Sequence, residues 1–340
     1  MMDGQPVLVP SPHMIGGGLA IVVAWLIDGV WGEPPARWHP VVWMGRYLAW
    51  AGAWAAPAVP APPDAACRAW WRGTLAWWAG AAVVVACAVA LQAALALLPS
   101  VWQGLLLGVC LKPMFAWRML RNEVAAVEAA LARSLSAGRA QVQRLVSRDV
   151  HTLDEADVRG AALSTLAENL NDSVVAPLLW FAVAGLPGAA LYRYANTADA
   201  MWGYRGPRGG RDWTWAGRWA ARTDDVLSWL PARLTALLLW GTRPRCASAP
   251  TKGHTWRWRQ LRAQARRTPS PNGGWPMAAL ALGLGVGLRK PGVYVLNEAG
   301  RAPQPADTAC ALRWCQSVVS LLAVGALVAL LAGLSAEGWR

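Results

Sequence analysis

The chain has 340 residues and a formal net charge of +13. Apolar residues make up 55% of it and charged residues only 15%, which argues against a soluble protein, and its 24 tryptophans favour the boundary between water and lipid. A basic chain can bind nucleic acid, an anionic membrane face or anionic small substrates. Because the apolar runs are long and the sequence carries no nucleic-acid-binding motif, we expect no nucleic-acid partner.

The N-terminal third is apolar and rich in proline. Residues 18–30 form a short apolar segment interrupted by Asp28. A Pro-rich linker, extended and weakly structured, is predicted at residues 56–66. Residues 74–98 carry no charge and are long enough to span a bilayer, so they form the clearest transmembrane helix. A second apolar helix is predicted over residues 101–117.

The middle and the end of the chain combine amphipathic and apolar segments. Residues 118–148 place apolar side chains at helical spacing with Arg and Glu on the other face, which predicts a long amphipathic helix. We expect residues 118–172 to form a cytoplasmic helical region and residues 243–270 a basic cytoplasmic loop. Residues 292–297 are the best candidate strand, and residues 318–334 form a convincing last span.

A break divides the apolar segment at residues 174–194, where "GLPG" occupies residues 185–188. Arg-rich loops flank this segment at residues 118–148 and 205–222, and basic loops are expected in the cytoplasm. Two short helical arms around the break suggest a re-entrant hairpin or a kinked span. An ordinary span would put the second loop on the wrong side, which supports the hairpin. The fold class is therefore an all-α integral membrane protein, a single polytopic domain with several transmembrane and re-entrant or broken helices.

Two pairs of carboxylates lie at the edges of apolar segments. Glu168 and Asp172 in "ENLNDS" are four residues apart and share a face of a helix. Mg²⁺ prefers one or two carboxylates together with phosphate oxygens, so this pair could bind a magnesium nucleotide. The alternative is that Asp172 or Ser173 only caps the helix that follows. In "RTDDVL", one of Asp224 and Asp225 can pair with arginine while the other stays free for metal. The alternative is an intrahelical Arg222–Asp225 pair of little energetic weight.

Two further polar stretches border apolar segments. Asn196 and Asp199 are three residues apart in "YANTADAMWGYR", and polar groups near a membrane segment are costly unless they are used. The alternative is an interfacial cap followed by a turn. Asn272, Gly273 and Gly274 precede an apolar helix, and their backbone N–H groups could form a phosphate-binding nest. A purely structural glycine turn is the alternative there.

Taken together, these stretches resemble one family. The segments "DGVWGEPPARWHPVVWMGR", "ENLNDSVVAPLLWF", "GLPGAALYRYANTADAMWGYR", "AARTDDVLSWLPARLTALLL" and "SPNGGWPMAALALGLGVGLRKPGVYVLN" are similar, in order, to the blocks of the cobinamide-phosphate synthase family (CobD/CbiB). The similarity covers about residues 24–297. It implies an enzyme of the bacterial inner membrane with an active site that faces the cytoplasm. It further implies ATP-dependent amide-bond formation between adenosylcobyric acid and (R)-1-aminopropan-2-ol or its O-phosphate, with Mg²⁺.

This chemistry requires carboxylates for metal and proton transfer and cations for phosphates. The candidate catalytic residues are Glu168, Asp172, Asp224, Asp225 and, as the base, His39, and the candidate metal ligands are Glu168, Asp172 and Asp225. The candidate substrate- and phosphate-binding residues are Arg193, Asn196, Asp199, Arg205, Arg222, Arg233, Asn272, Gly273 and Gly274.

The resemblance also leaves partners and one alternative open. A homo-oligomer, or contact with other membrane proteins of cobalamin assembly, is compatible with it. The alternative function is a non-catalytic membrane protein, either a transporter or a signalling modulator related to the same family. A transporter would more naturally show regular spans and inverted repeats, whereas this sequence has short, broken apolar segments and no evident repeat.

Overall fold

The computed structural model describes residues 12–62, 64–147, 149–243 and 257–337. These residues are mostly helical, which confirms the prediction of an α-helical fold. The α-helices in the described ranges are α1 (Pro12–Val30), α2 (Pro40–Ala55), α3 (Ala65–Leu95), α4 (Ser100–Leu111), α5 (Trp117–Leu131), α6 (Leu135–Gln143), α7 (Glu155–Leu170), α8 (Ala176–Trp202), α9 (Arg218–Leu227), α10 (Trp229–Gly241), α11 (Trp258–Ala265), α12 (Gly274–Leu284) and α13 (Pro305–Glu337).

Two short antiparallel hairpins join these helices. In the first, β1 (Pro207–Arg208) pairs with β2 (Arg211–Asp212). In the second, β3 (Leu288–Lys290) pairs with β4 (Tyr294–Leu296), which lies within the strand predicted at residues 292–297. Helices α7 and α12 are at the centre of the main hydrophobic core, since almost every side chain of α12 is buried.

Within the described ranges, three helical segments are long and apolar enough to cross a membrane, judged by length and composition. They are Ala65–Leu95, Glu155–Trp202 and Pro305–Ser335. Large apolar side chains such as Trp78 and Val83 of α3 are more than half exposed, as is expected of a surface that faces lipid. The membrane character predicted from composition is therefore supported.

The second of these segments is not one straight helix, because the chain reverses within α8. Ala184 and Gly185 have non-helical backbone angles, and Gly185 has a φ of 63°, which glycine adopts without strain. The Arg193 guanidinium donates to the Asp172 carbonyl at 3.4 Å. A straight helix would separate these residues by about 31 Å. Two antiparallel arms therefore meet at Ala184–Gly185; that they re-enter a bilayer remains a prediction.

The second arm of α8 runs antiparallel to α3. Gln92, near the end of α3, accepts a hydrogen bond from the backbone N–H of Leu186 at 2.8 Å. Further along, a Cβ on Gly80 of α3 would lie 2.2 Å from the Tyr194 hydroxyl, so these helices pack more closely than any side chain at Gly80 would allow. The open mouth of the helical hairpin thus lies beside Gly80, close to the exposed Trp78.

The structure differs from the sequence-based expectation at residues 118–148. The predicted amphipathic helix at residues 118–148 is split into α5 and α6, because the Ser134 hydroxyl caps a new helix by accepting from the Ala137 N–H. In the predicted linker at residues 56–66, Ala58 forms an isolated antiparallel bridge with Arg211 of β2. The predicted basic loop at residues 243–270 lies partly outside the described residues, and its described part contains α11.

Candidate functional site

A π-helical turn, Asn171–Val175, lies at the start of the site. Its cause is Pro177, which has no N–H to donate to the carbonyl of Ser173 and whose ring would clash with that carbonyl. The Ala176 N–H therefore reaches back five residues to the Asn171 carbonyl, and the released Ser173 carbonyl accepts from the Ala116 N–H at 2.9 Å. π-Helical turns are rare in proteins, and those that occur often lie at functional sites.

Asp172 lies in this turn and accepts several side-chain hydrogen bonds. Its Oδ1 accepts from Asn171 Nδ2 at 2.6 Å and from the Tyr192 hydroxyl at 3.4 Å, and Asn196 is a third donor. No side chain caps the N-terminus of α8, so the capping interpretation of Asp172 is wrong. Glu168 is one turn earlier and within electrostatic range of Asp172 and Asp199.

Arg193 of the second arm faces the first arm. Its NH1 donates to the Asp172 carbonyl at 3.4 Å and to the Ser173 hydroxyl at 3.3 Å. Its Nε is buried and has no hydrogen-bond partner among the described residues. A buried donor without a partner is costly, so this guanidinium has an unused capacity to bind an anion.

Helix α9 contributes the second carboxylate pair. Asn196 Nδ2 donates to Asp224 Oδ1 at 3.3 Å. Burial, followed by the charges of Asp172 and Asp199, raises the pKa of Asp224 well above its usual value. Burial also raises the pKa of Asp225, although the charge of Arg205 opposes this. The two pairs predicted separately from the sequence therefore share one site.

Helix α12 closes the site next to Glu168. Asn272 joins three elements, because its Nδ2 donates to the Asp225 carbonyl at 2.7 Å and its Oδ1 accepts from Arg233 at 2.5 Å. The Arg233 guanidinium lies between the rings of Trp229 and Trp275, 4.7 and 4.8 Å from their centroids. A Cβ on Gly273 would lie 3.0 Å from Glu168 Oε1. Gly273 therefore lets the carboxylate approach the backbone.

The predicted phosphate nest needs correction. The N–H groups of Asn272 and Gly273 both donate to the Ser270 hydroxyl, at 3.2 and 3.1 Å, so these two donors are already used. A Cβ on Gly274 would lie 2.2 Å from the Ala265 carbonyl, which makes that glycine a close-packing residue. In this turn, Asn272 and Gly273 thus contact the acidic residues directly instead of offering a free set of N–H groups.

Two other predicted residues have different surroundings. His39 caps α2: its Nδ1 accepts from the Val41 N–H at 3.3 Å, and its Nε2 lies 3.1 Å from Glu33 Oε2. Although burial would raise the pKa of Glu33, hydrogen bonds from His39 and Lys112 lower it. Both ring nitrogens of His39 are therefore engaged in contacts at the start of α2. Arg222 is exposed, and the Arg222–Asp225 pair that helical spacing allows is not formed.

The carboxylates of the site do not form a metal centre by themselves in the described residues. Among the described residues, no three His, Cys, Asp or Glu side chains converge closely enough to bind a metal by themselves. The triad predicted from the sequence, Glu168, Asp172 and Asp225, is therefore not a preformed cage. The carboxylates nevertheless outnumber the cations, and Mg²⁺ is commonly bound by one or two carboxylates plus substrate phosphates. The donor set fits a cation that arrives with a phosphorylated ligand.

Sequence reasoning missed several polar partners of this site. Asn171, Tyr192 and Ser228 form a buried network in which the Tyr192 hydroxyl and the Ser228 hydroxyl are 3.0 Å apart. Thr235 of α10 donates to Asn171 Oδ1 at 3.1 Å. Asn171 and Tyr192 adjoin predicted residues in the chain, and this adjacency was the only available signal.

Comparison with known proteins places the chain in a family. The CobD/Cbib protein family matches residues 21–321. A probable cobalamin biosynthesis protein CobD from Methanothermobacter thermautotrophicus is 36% identical over 285 residues, which cover 82% of this chain and 86% of the relative. Cobalamin biosynthesis proteins CobD from Chromobacterium violaceum and Rhodobacter capsulatus are 41% and 37% identical, covering 81% and 85% of this chain and 82% and 90% of the relatives.

No solved structure matches the chain significantly. The family match extends over most of the chain and includes every segment that contributes to the site, from Glu33 to Gly273. The relatives are covered nearly over their full length at well above 30% identity. The chain therefore belongs to the CobD/Cbib family of cobalamin biosynthesis proteins.

Proposed function

We propose that the chain is an ATP-dependent ligase that forms an amide between a propionate of adenosylcobyric acid and (R)-1-aminopropan-2-ol or its O-phosphate. The product would be adenosylcobinamide or its phosphate. The observation that carries this proposal is the convergence of Asp172, Asp224 and Arg193 at the mouth of the α8 hairpin, in a chain of this family. The site combines carboxylates with an arginine whose buried Nε has no hydrogen-bond partner among the described residues. Such a site suits a reaction between a phosphate, a carboxylate and an amine.

Each side chain has a role in this proposal. Arg193 would bind the anionic group that forms when the propionate is activated, because its buried Nε has no partner among the described residues. Asp224 replaces His39 as the proposed base. Its raised pKa makes its carboxylate a stronger proton acceptor for the ammonium group of the incoming amine.

Mg²⁺ is part of the proposal. Glu168 and Asp172 would hold it together with phosphate oxygens, since their electrostatic proximity leaves an excess of negative charge on this side of the site. When bound, the ion would neutralise phosphate charge. Asn196 would keep Asp172 and Asp224 in place through its side-chain amide.

We further propose that the site opens toward the cytoplasm of a bacterial cell, at the level of the membrane surface. The Arg-rich β1–β2 hairpin follows the second arm of α8, and basic loops favour the cytoplasmic side. The acidic site lies beside Gly80 of α3, near the exposed Trp78, an aromatic residue of the kind that marks the membrane boundary.

The direct test is amide formation by the purified protein. The protein in detergent or nanodiscs is incubated with adenosylcobyric acid, ATP, Mg²⁺ and either free or phosphorylated aminopropanol, and the corrinoid products are identified by mass. A product with the mass of the amide, dependent on ATP, supports the proposal. Absence of amide with both amines, from protein that is folded and membrane-inserted, would leave the non-catalytic alternative.

A further inference from the structure

A cavity of about 960 Å³ lies between α2, α3, α4 and the second arm of α8. One wall is formed by Leu186, Ala190 and Tyr194 of that arm, which are buried and share a helical face because they are four residues apart. Tyr192 and Asn196, which contact the carboxylates of the site, point about 200° away from this face. The cavity is therefore a separate space on the opposite side of the arm.

The cavity is continuous with the lipid-facing surface of the protein. Val83 and Leu91 of α3 and Val109 of α4 line it, and these three residues are 63%, 43% and 54% exposed. Helix α3 is also one of the segments that are long and apolar enough to cross a membrane. Lipid that covers α3 can therefore reach the cavity from the side, without crossing the folded core.

The tyrosines and charged side chains that line the cavity already have partners in the protein. The hydroxyls of Tyr47 and Tyr194 donate to backbone carbonyls of α3 at 2.7 and 3.1 Å. The Lys112 ammonium forms ion pairs with Asp28 at 3.1 Å and with Glu33 at 2.8 Å. The rest of the lining is almost entirely apolar. A ligand rich in amides or charges would leave its own polar groups unpaired here, so the walls select a hydrocarbon.

Tryptophans border the cavity around the connection from α1 to α2. Trp31, Trp38 and Trp43 line it and are 74%, 64% and 48% exposed, and tryptophan favours the boundary between water and lipid. The exposed Arg37 guanidinium lies over the Trp38 ring, 5.8 Å from its centroid. Among the described residues, no carboxylate forms an ion pair with Arg37. An unpaired arginine at this boundary suits the phosphate of a lipid head group.

The size and the lining of the cavity favour an apolar ligand. Its volume is at the upper end of the range of about 300–1,000 Å³ that is typical of ligand pockets. An apolar cavity of about 150 Å³ already takes up apolar molecules, because empty space deprives its walls of van der Waals contacts. We propose that this cavity binds an acyl chain of a membrane glycerophospholipid, and that Arg37 contacts the phosphate of the head group. The site is independent of the proposed amide formation.

A photoreactive lipid tests this site on the full-length protein. The purified protein in detergent is mixed with a trace of phosphatidylglycerol that carries a diazirine on its acyl chain, irradiated and digested, and the labelled peptides are identified by mass. Lipid at the outer surface labels only exposed residues, whereas a chain in the cavity also labels the buried wall around Ala190. We therefore expect label on the peptide that contains Ala190, and its loss when unlabelled phosphatidylglycerol is added in excess.

Two valines of α3 provide a matched pair of variants. Val83 lines the cavity, whereas Val89 does not line it and is 50% exposed. Val83→Trp should lower the labelling of the Ala190 peptide at least about fivefold, because the indole fills space that the chain would occupy. Val89→Trp should leave this labelling unchanged. A melting curve of each variant checks that it is folded, and the competition in the wild type decides the question if Val83→Trp does not fold.

The head-group contact is tested by Arg37→Gln. This variant should bind less phosphatidylglycerol than the wild type but be labelled normally by a diazirine-bearing diacylglycerol, which has no phosphate. Equal labelling of Arg37→Gln and the wild type by both lipids overturns the role of Arg37.

Other results would overturn the acyl-chain site itself. Equal labelling of Val83→Trp and Val89→Trp, or an unlabelled Ala190 peptide in the wild type, contradicts a chain in the cavity. Loss of the label in the presence of adenosylcobyric acid would assign the cavity to the corrinoid instead. None of these measurements depends on amide formation, so the lipid site and the proposed ligase activity can fail separately.

Discussion

Replacing Asp172 by asparagine separates charge from hydrogen bonding at the centre of the site. The Oδ1 of Asp172 accepts from Asn171 and Tyr192, and an asparagine can keep that oxygen in place. The substitution removes one negative charge from a group that includes Glu168 and Asp224. Because like charges in a buried site repel, we expect the Asp172→Asn protein to be at least as stable to heat as the wild type.

Activity should respond in the opposite direction. If Asp172 helps to hold Mg²⁺ and phosphate, loss of its charge should reduce turnover at least about a hundredfold, or roughly 2.7 kcal/mol of transition-state stabilisation. The same change removes one of the charges that raise the pKa of Asp224. The residual activity of the variant should therefore appear at a lower pH than the activity of the wild type.

The assay measures amide formation from adenosylcobyric acid, beside a melting curve of the same preparation. Asp172→Ala is the comparison variant, because it also deletes the acceptor of the Asn171 and Tyr192 donors. A buried donor left without a partner costs about 1–3 kcal/mol, so Asp172→Ala should melt earlier than Asp172→Asn. Near-normal turnover in both Asp172→Asn and Glu168→Gln would refute the metal-binding role and reduce these acids to a structural one.

Three other outcomes are expected. Asp224→Asn should raise Tm at pH 8 and lose this advantage as the pH falls toward about 4, since a raised native pKa costs stability above the unfolded value and none below it; an equal gain at both pH values would contradict the buried charge. Gly273→Ala should impair activity by displacing the Glu168 carboxylate, whereas Gly29→Ala, which meets open space, should not; equal activities would show that the contact is unimportant. Single cysteines at Arg208 and on the exposed face of α6 should be labelled from the same side of the membrane, and labelling from opposite sides would exclude the re-entrant hairpin.

Local features of the sequence predicted much of the helical fold. The uncharged stretch at residues 74–98 corresponds to most of α3. The glycines and proline of "GLPG" predicted a break, which the structure places at Ala184–Gly185. Both are properties of a short stretch of chain. The polar residues at the edges of the apolar segments could be identified in the same way. A polar side chain near lipid costs free energy, and this can be recognised from the sequence without knowledge of its neighbours in the fold.

Features that depend on distant partners could not be read in this way. The effect of Pro177 on Ser173 was in principle visible, but Ala116 as the new donor to the Ser173 carbonyl was not. His39 resembled a possible base until Glu33 and Val41 were found to occupy its two ring nitrogens. In the same way, the N–H groups of the glycine turn looked free only as long as the position of the preceding serine hydroxyl was unknown.

The hydrogen bond from Ala116 to Ser173 gives the site a mechanical connection to the membrane-facing helices. Ala116 follows the turn Lys112–Met114 at the end of α4, and the buried Lys112 ammonium is fixed by ion pairs to Asp28 and to Glu33. A shift of α4 must therefore either break this bond or pull the backbone next to Asp172. A tilt of α4 would therefore reach the backbone beside Asp172 through this hydrogen bond, in addition to the direct packing of α4 against α8.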